Sequence, residues 1–312
     1  MKKILSIDGG GIRGVIPATI LCKIEEMTGK RTAELFDLVI GTSTGGILAL
    51  GSCARDGAGS PRYSARELRN LYEKHGKDIF ARSFWSGITS TGLFDELYSE
   101  KGLETVLGKY FGDSTLGQLP ASPKVVVTTY DLHQREPLFI KSWYPQHGGI
   151  KLRQAARATS AAPTYFEPLR LTVNERDCAL VDGGVFINNP AVSGYAEARK
   201  VFPNDDYFVL SLGTGELTRK IPYEEAKDWG KFGWALPLLS CMFDGVSDAA
   251  DYQLRQLLGS HEYYRMQVRL VSANDDMDDA TQANIRNLIA LAEELIDQRK
   301  DELAAICETL IH

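Results

Sequence analysis

The sequence predicts an α/β fold, a central, mostly parallel sheet flanked by helices on both faces. Three observations carry that expectation. Short apolar runs at residues 4–7, 38–40 and 180–181 each end in a glycine-rich turn. Helix and strand signals then alternate along the chain, the pattern of a sheet covered by helices. Finally, 312 residues with 44% hydrophobic and 24% charged side chains are ordinary globular material, able to bury a substantial core.

The elements follow in order. Residues 4–7 (Ile-Leu-Ser-Ile) read as a buried strand, residues 18–27 as a helix, and residues 38–40 as the second strand, with a helix over 47–54. Gly57, Gly59 and Pro61 mark 56–62 as a loop. Ser64-x-x-Glu67 is a capping box opening a helix to about residue 80. Residues 125–129 form a buried-strand signal, with 138–140 as a hairpin partner. Asn189-Pro190 starts another helix, and 207–212 is a further central strand running into Gly213-Thr214-Gly215. From 281 to 310, apolar residues such as Ile285, Leu288, Ala292 and Leu295 recur at helical spacing. An amphipathic helix docked on its own domain is favoured there over one docked on a partner. One domain over 1–312 is expected, with 216–312 as a C-terminal helical extension, although two domains would also fit the length.

The chemistry concentrates in the glycine turns. Gly41-Thr42-Ser43-Thr44-Gly45 fits G-x-S-x-G, a strand-to-helix elbow that lifts a serine Oγ out of the sheet. Small residues such as Gly41 and Gly45 keep the turn tight and the approach open. Asp8-Gly9-Gly10-Gly11-Ile12-Arg13-Gly14 could aim successive backbone N–H groups at one point, where a helix N-terminus favours negative charge. Arg13 could brace that loop or hold a phosphate headgroup, and bracing is favoured. A serine needs a base. Of His75, His133, His147, His261 and His312, only His133 follows a strand candidate, and a solvated loop histidine is the reading preferred for it. Asp182, in Asp182-Gly183-Gly184, is the better base if burial raises its pKa, and a plain Asp-Gly turn is the bland alternative.

Two rivals for the glycine loop fail on position. A dinucleotide fingerprint wants an acid about 20 residues on, at the end of the second strand. Glu25 and Glu26 lie inside the first helix, Asp37 precedes the second strand, and the Gly41–Ser43 turn takes the required place. A Walker A loop fails because Lys30, Lys77, Lys109 and Lys231 all lack a following Ser or Thr.

Together these blocks resemble the signatures of patatin-like phospholipases: the Asp8–Gly14 loop, the Ser43 elbow and Asp182-Gly183-Gly184, in the family's order. Ala155-Ala156-Arg157-Ala158-Thr159-Ser160-Ala161-Ala162-Pro163 resembles a fourth block, and the likeness spans about residues 3–215. The resemblance implies a Ser-Asp dyad without histidine, Ser43 as nucleophile, Asp182 as base, and Gly9, Gly10 and Gly11 as oxyanion hole. It implies hydrolysis of acyl esters in membrane phospholipids and no cofactor or metal. The chain is also similar to short bacterial patatins, including cyclic-nucleotide-activated phospholipase effectors of antiphage (CBASS) operons, although no block reads as a cyclic-nucleotide site. A constitutive lipid acyl hydrolase and a non-catalytic binding module with the same fold are the alternatives. A homo-oligomer is left open.

Composition limits the partners. A net charge of −6 gives no support to nucleic-acid binding or to strong attraction by anionic lipid. Five scattered cysteines without C-x-x-C spacing read as free thiols, with Cys22, Cys53 and Cys241 expected to be buried, which favours a reducing compartment. The apolar start is interrupted at Asp8, unlike a signal peptide, and no run reaches 18 apolar residues. A cytoplasmic protein working at the inner membrane surface is expected. Residues 80–85 and 229–243 are the aromatic or apolar segments that could touch lipid, and burial against the core is favoured for both.

Overall fold

The structure, a computed structural model, describes residues 1–79, 100–218, 220–230 and 233–312. The aromatic segment 80–85 lies outside the described residues. Eight strands are described: β1 (Lys2–Ile7), β2 (Leu38–Thr42), β3 (Lys124–Asp131), β4 (Glu136–Lys141), β5 (Leu169–Val173), β6 (Arg176–Asp182), β7 (Tyr207–Leu212) and β8 (Tyr263–Met266). They form one sheet in the order β5-β6-β3-β2-β1-β7-β8, with β4 also paired to β3. The centre, β3-β2-β1-β7-β8, is parallel, whereas β4, β5 and β6 add antiparallel pairs at one end. Parallel strands are buried on both faces and therefore read as unbroken apolar runs. β2 and β7 are buried at every position.

The helices are α1 (Val15–Thr28), α2 (Thr32–Leu35), α3 (Thr44–Cys53), α4 (Ala65–Ile79), α5 (Glu100–Phe111), α6 (Leu152–Thr159), α7 (Ala191–Val201), α8 (Tyr223–Ala226), α9 (Ala235–Leu257), α10 (Gln282–Gln298) and α11 (Lys300–Ile311). Alternate strand side chains serve two cores. Leu5, Ile7, Val39, Val125, Val127 and Leu210 join one with residues of α1, α3, α4, α10 and α11. Ile4, Leu38, Ile40, Val126 and Val209 join the other with Ala191 and Ala198 of α7 and Leu254 of α9. Ser64 and Glu67 make the expected capping box: the Ser64 hydroxyl accepts the Glu67 N–H, and Glu67 accepts the Ser64 N–H. The amphipathic tail divides at Arg299 into α10 and α11, both packed on α1.

Two expectations are corrected at α9. Of the apolar stretch 229–243, Phe243 is buried, but Trp234, Leu238 and Met242 are 41%, 48% and 40% exposed. Pro237 lies in the first turn of α9, where a missing N–H costs nothing, so it opens this helix rather than breaking one. Cys241 shares this outer side of α9 and is exposed, not buried, and Cys22 is half-buried; Cys53, Cys178 and Cys307 are buried thiols.

Candidate active site

β3 brings the two chemistry-bearing turns together. β4 runs along one of its edges from Val126 to Asp131, leaving the other edge to β2 and β6. β2 climbs parallel to β3 as far as the Thr42–Thr128 pair. β6 descends antiparallel and ends at the next rung, where Asp182 pairs with Thr129. The two strands thus end head to head. Three hydroxyl contacts fasten the junction: Thr42 to Thr128 at 2.8 Å, Thr42 to the Ile187 carbonyl at 2.8 Å, and Thr129 to the Val181 carbonyl at 2.6 Å.

Ser43 sits at the tip of its turn with φ 55° and ψ −125°, a region disfavoured for a residue with a Cβ. Such strain is the mark of a strand-to-helix elbow. Its N–H donates to the Thr159 hydroxyl at 2.9 Å, and Ser43 caps the ten-residue α3. Gly45 makes the turn fit: a Cβ there would stand 2.2 Å from the Ile7 carbonyl oxygen, backbone that cannot yield. Gly41 meets the same limit against the Gly45 carbonyl. Gly45→Val is therefore expected to cost about 3 kcal/mol or more through forced displacement of β1. A thermal melt within two degrees of the parent would show that the turn accommodates the side chain.

Asp182 is 2% exposed, and its carboxylate accepts the Gly184 N–H at 2.7 Å. Gly183 and Gly184 form a short 3₁₀ turn after it. Burial raises its pKa to about 7, opposed by hydrogen bonding from Ser43 and from the Gly184 N–H. Ser43 and Asp182 line one pocket, whose walls are mainly apolar: Ile47, Leu71, Ile79, Leu103, Phe166 and Phe243. None of the five histidines lines this pocket. His133 instead contacts the Asp177 carbonyl at 2.8 Å, and buried His147 accepts the Lys141 N–H.

The glycine loop reaches the same pocket through Gly10 and Gly11. The N–H of Gly9, expected as a third donor, goes to the Asn188 carbonyl at 3.0 Å, where the loop is sewn to the chain after Gly184. That leaves Gly10 and Gly11 as the loop's candidate donors. Gly11 has φ +58°, and a Cβ there would lie 2.2 Å from the Met277 carbonyl oxygen. Arg13 contacts the loop, its Nε donating to the Gly10 carbonyl at 3.3 Å. It is 5% exposed, and its Nη1 has no hydrogen-bond partner among the described residues.

Several supports of this site carry no signal in the motifs. Asp8, 1% exposed at its side chain, is gripped by Arg265 of β8 through two bonds of 3.0 and 2.6 Å. Arg265 also donates to Ser211, while the Thr214 hydroxyl bonds the Gly9 carbonyl and the Met277 carbonyl accepts the Ile12 N–H. Arg265, Ser211, Thr214 and Met277 all lie beyond the elbow and the Asp182 turn. A charged residue inside the strand-like run Tyr263-Tyr264-Arg265-Met266 was the one available hint. Among the described residues, no cluster of His, Cys, Asp or Glu could hold a metal, and no helix is long and apolar enough to cross a membrane.

The profile of the family described as Patatin-like phospholipase matches residues 5–194. The chain is 32% identical to Patatin-like protein 4 of Arabidopsis thaliana, over 94% of this chain and 83% of the relative. It is 31% identical to Patatin-like protein 2 of Oryza sativa subsp. indica, over 96% and 84%, and 30% identical to Patatin-T5 of Solanum tuberosum, over 95% and 84%. With its elbow, glycine loop and Asp-Gly-Gly turn inside the matched span, the chain belongs to the patatin-like phospholipase family, and is a lipid acyl hydrolase.

Proposed function

We propose that the enzyme releases fatty acids from membrane phospholipids through a Ser43–Asp182 dyad. The observation that carries this reading is the meeting of a strained serine with a buried carboxyl at one end of an apolar pocket. Ser43 Oγ attacks the ester carbonyl while Asp182 takes its proton. Negative charge on the former carbonyl oxygen is held by the Gly10 and Gly11 N–H groups and by the positive end of α3. The tetrahedral adduct expels the lysolipid alcohol, which takes up the proton from Asp182. Water then attacks acyl-Ser43, with Asp182 again as base, and the fatty acid leaves. The apolar pocket walls suit the acyl chain.

A base with a pKa near 7 sets the pH profile. Asp182 must be ionised to accept the Ser43 proton, so kcat/KM on a soluble ester should rise about tenfold per pH unit below a midpoint near 7 and level off above it. A midpoint near 4 would mean the carboxyl is not working from this buried setting.

The test of the assignment combines labelling with turnover. A fluorophosphonate should modify Ser43 in the parent and nothing in Ser43→Ala, and mixed phospholipid vesicles should lose fatty acid only with the parent. An unlabelled Ser43 with no release would leave a binding module with this fold. Action at the inner membrane surface, and switching by a cyclic nucleotide in antiphage defence, extend the proposal on resemblance. A panel of cyclic di- and trinucleotides in the vesicle assay tests the switch: release with one nucleotide alone supports it, and equal release throughout makes the enzyme constitutive.

A further inference from the structure

The exposed side of α9 adjoins a second cavity, and the cavity adjoins the Ser43 pocket. Its walls mix apolar residues (Ile221, Trp229, Pro237) with charged ones (Arg13, Glu225, Asp244, Asp275, Asp276), and it shares Ala162, Tyr165, Phe243 and Met277 with the pocket that holds Ser43. At 100° per residue, the faces of α9 follow one another around the helix. Phe243, Ser247, Ala250 and Leu254 turn to the core. Pro237, Ser240, Cys241 and Asp244 turn to the cavity. Next comes a face made of Trp234, Leu238, Met242, Gly245, Ala249 and Tyr252, which carries no charge and is exposed throughout. It extends about 27 Å along the helix. Trp234 is set against Trp229 of the cavity wall, ring edge to face at 5.1 Å. Ile221 and Tyr223, at 44% and 77% exposure, enlarge the apolar surface near the same cavity.

We propose that this face of α9 is the membrane-docking surface, which lies on the bilayer and delivers lipid through the adjoining cavity to Ser43. The orientation rests on the acyl-hydrolase reading above; the docking itself does not. Three observations select a lipid surface as occupant. The face is continuous with the cavity that leads to the pocket, so a bilayer against it presents esters where they are used. A row of aromatic and aliphatic side chains with no charge matches the acyl boundary of a bilayer. A protein of net charge −6 with no basic residue on this face gains little from anionic headgroups. Docking is therefore apolar and largely independent of salt.

The experiment uses full-length Ser43→Ala protein, which cannot consume its target, and sedimentation with phosphatidylcholine vesicles. The parent binds, and Leu238→Glu/Met242→Glu in the same background loses at least about tenfold in bound fraction. Val271→Glu, which places a charge on a still more exposed apolar residue outside α9, keeps full binding. With Ser43 intact, Leu238→Glu/Met242→Glu lowers the ratio of vesicle turnover to soluble-ester turnover by a similar factor. No binding by the parent, equal binding by Leu238→Glu/Met242→Glu, or binding abolished between about 50 and 500 mM salt would each overturn the proposal. So would a parent dimer that this variant converts to monomer with vesicle binding unchanged, since the face would then belong to a second copy. Binding through α9 by a protein that hydrolyses neither substrate would sustain the docking surface and sink the dyad.

Discussion

Ser43→Ala is expected to lower turnover by roughly a thousandfold or more while leaving the melting temperature near that of the parent. The side chain removed is small, and the Thr159 bond that secures the elbow is made by the Ser43 N–H, which alanine retains. Asp182→Asn should cost as much activity, because an amide cannot take the proton, yet it should stabilise the fold. The sign follows from linkage. The unfolded carboxyl ionises near 3.8 and the folded one near 7. The folded state thus binds its proton more tightly: no penalty exists below about pH 4, it grows between about 4 and 7, and it is constant above. Asparagine removes it, so the gain in melting temperature should be present at pH 8 and absent at pH 4. Near-parental turnover in folded Ser43→Ala would end the dyad, and a destabilised Asp182→Asn at pH 8 would show that the carboxyl is not held uncomfortably by its burial.

The second large effect is expected at a residue that touches no substrate. Arg265→Met removes the guanidinium from a buried carboxylate, a change that typically costs about 3–5 kcal/mol. Burial already raises the Asp8 carboxyl, and Arg265→Met removes the strongest group that opposes that rise. The loop that follows Asp8 supplies Gly10 and Gly11, so kcat should fall along with stability. Arg265→Lys keeps the charge but not the two-pronged grip, and should fall between. Asp8→Asn/Arg265→Met leaves no buried charge behind and should regain much of the lost melting temperature without regaining turnover. Equal melting temperatures for parent and Arg265→Met would show that the pair carries no stability.

The centre of the sheet was legible because its strands announce themselves: the apolar runs at 38–40 and 207–212 stop at glycines and that at 4–7 one residue before them, whereas β5 and β8 carry no such signal. The elbow and the Asp-Gly-Gly turn were legible for the same reason. What was not legible depends on register. Nothing local says that Asp182 falls one rung beyond Thr42 on β3, and nothing near Gly9 says that its N–H will be taken by the Asn188 carbonyl. Arg265 has no glycine beside it and sits on a strand of four residues. Apolar composition likewise could not give the rotational phase of α9, which turns Phe243 inward and Leu238 outward.

The head-to-head ending of β2 and β6 has a consequence for biosynthesis. A ribosome releases the elbow long before it releases the carboxyl on the facing strand, and the clamp on Asp8 arrives later still, with Arg265. Until Asp182 emerges Ser43 has no base, and until Arg265 emerges the glycine loop has no anchor at Asp8. On this assignment a chain that stops before the end of β6 is chemically silent, and one that stops before β8 carries a glycine loop still unanchored at Asp8.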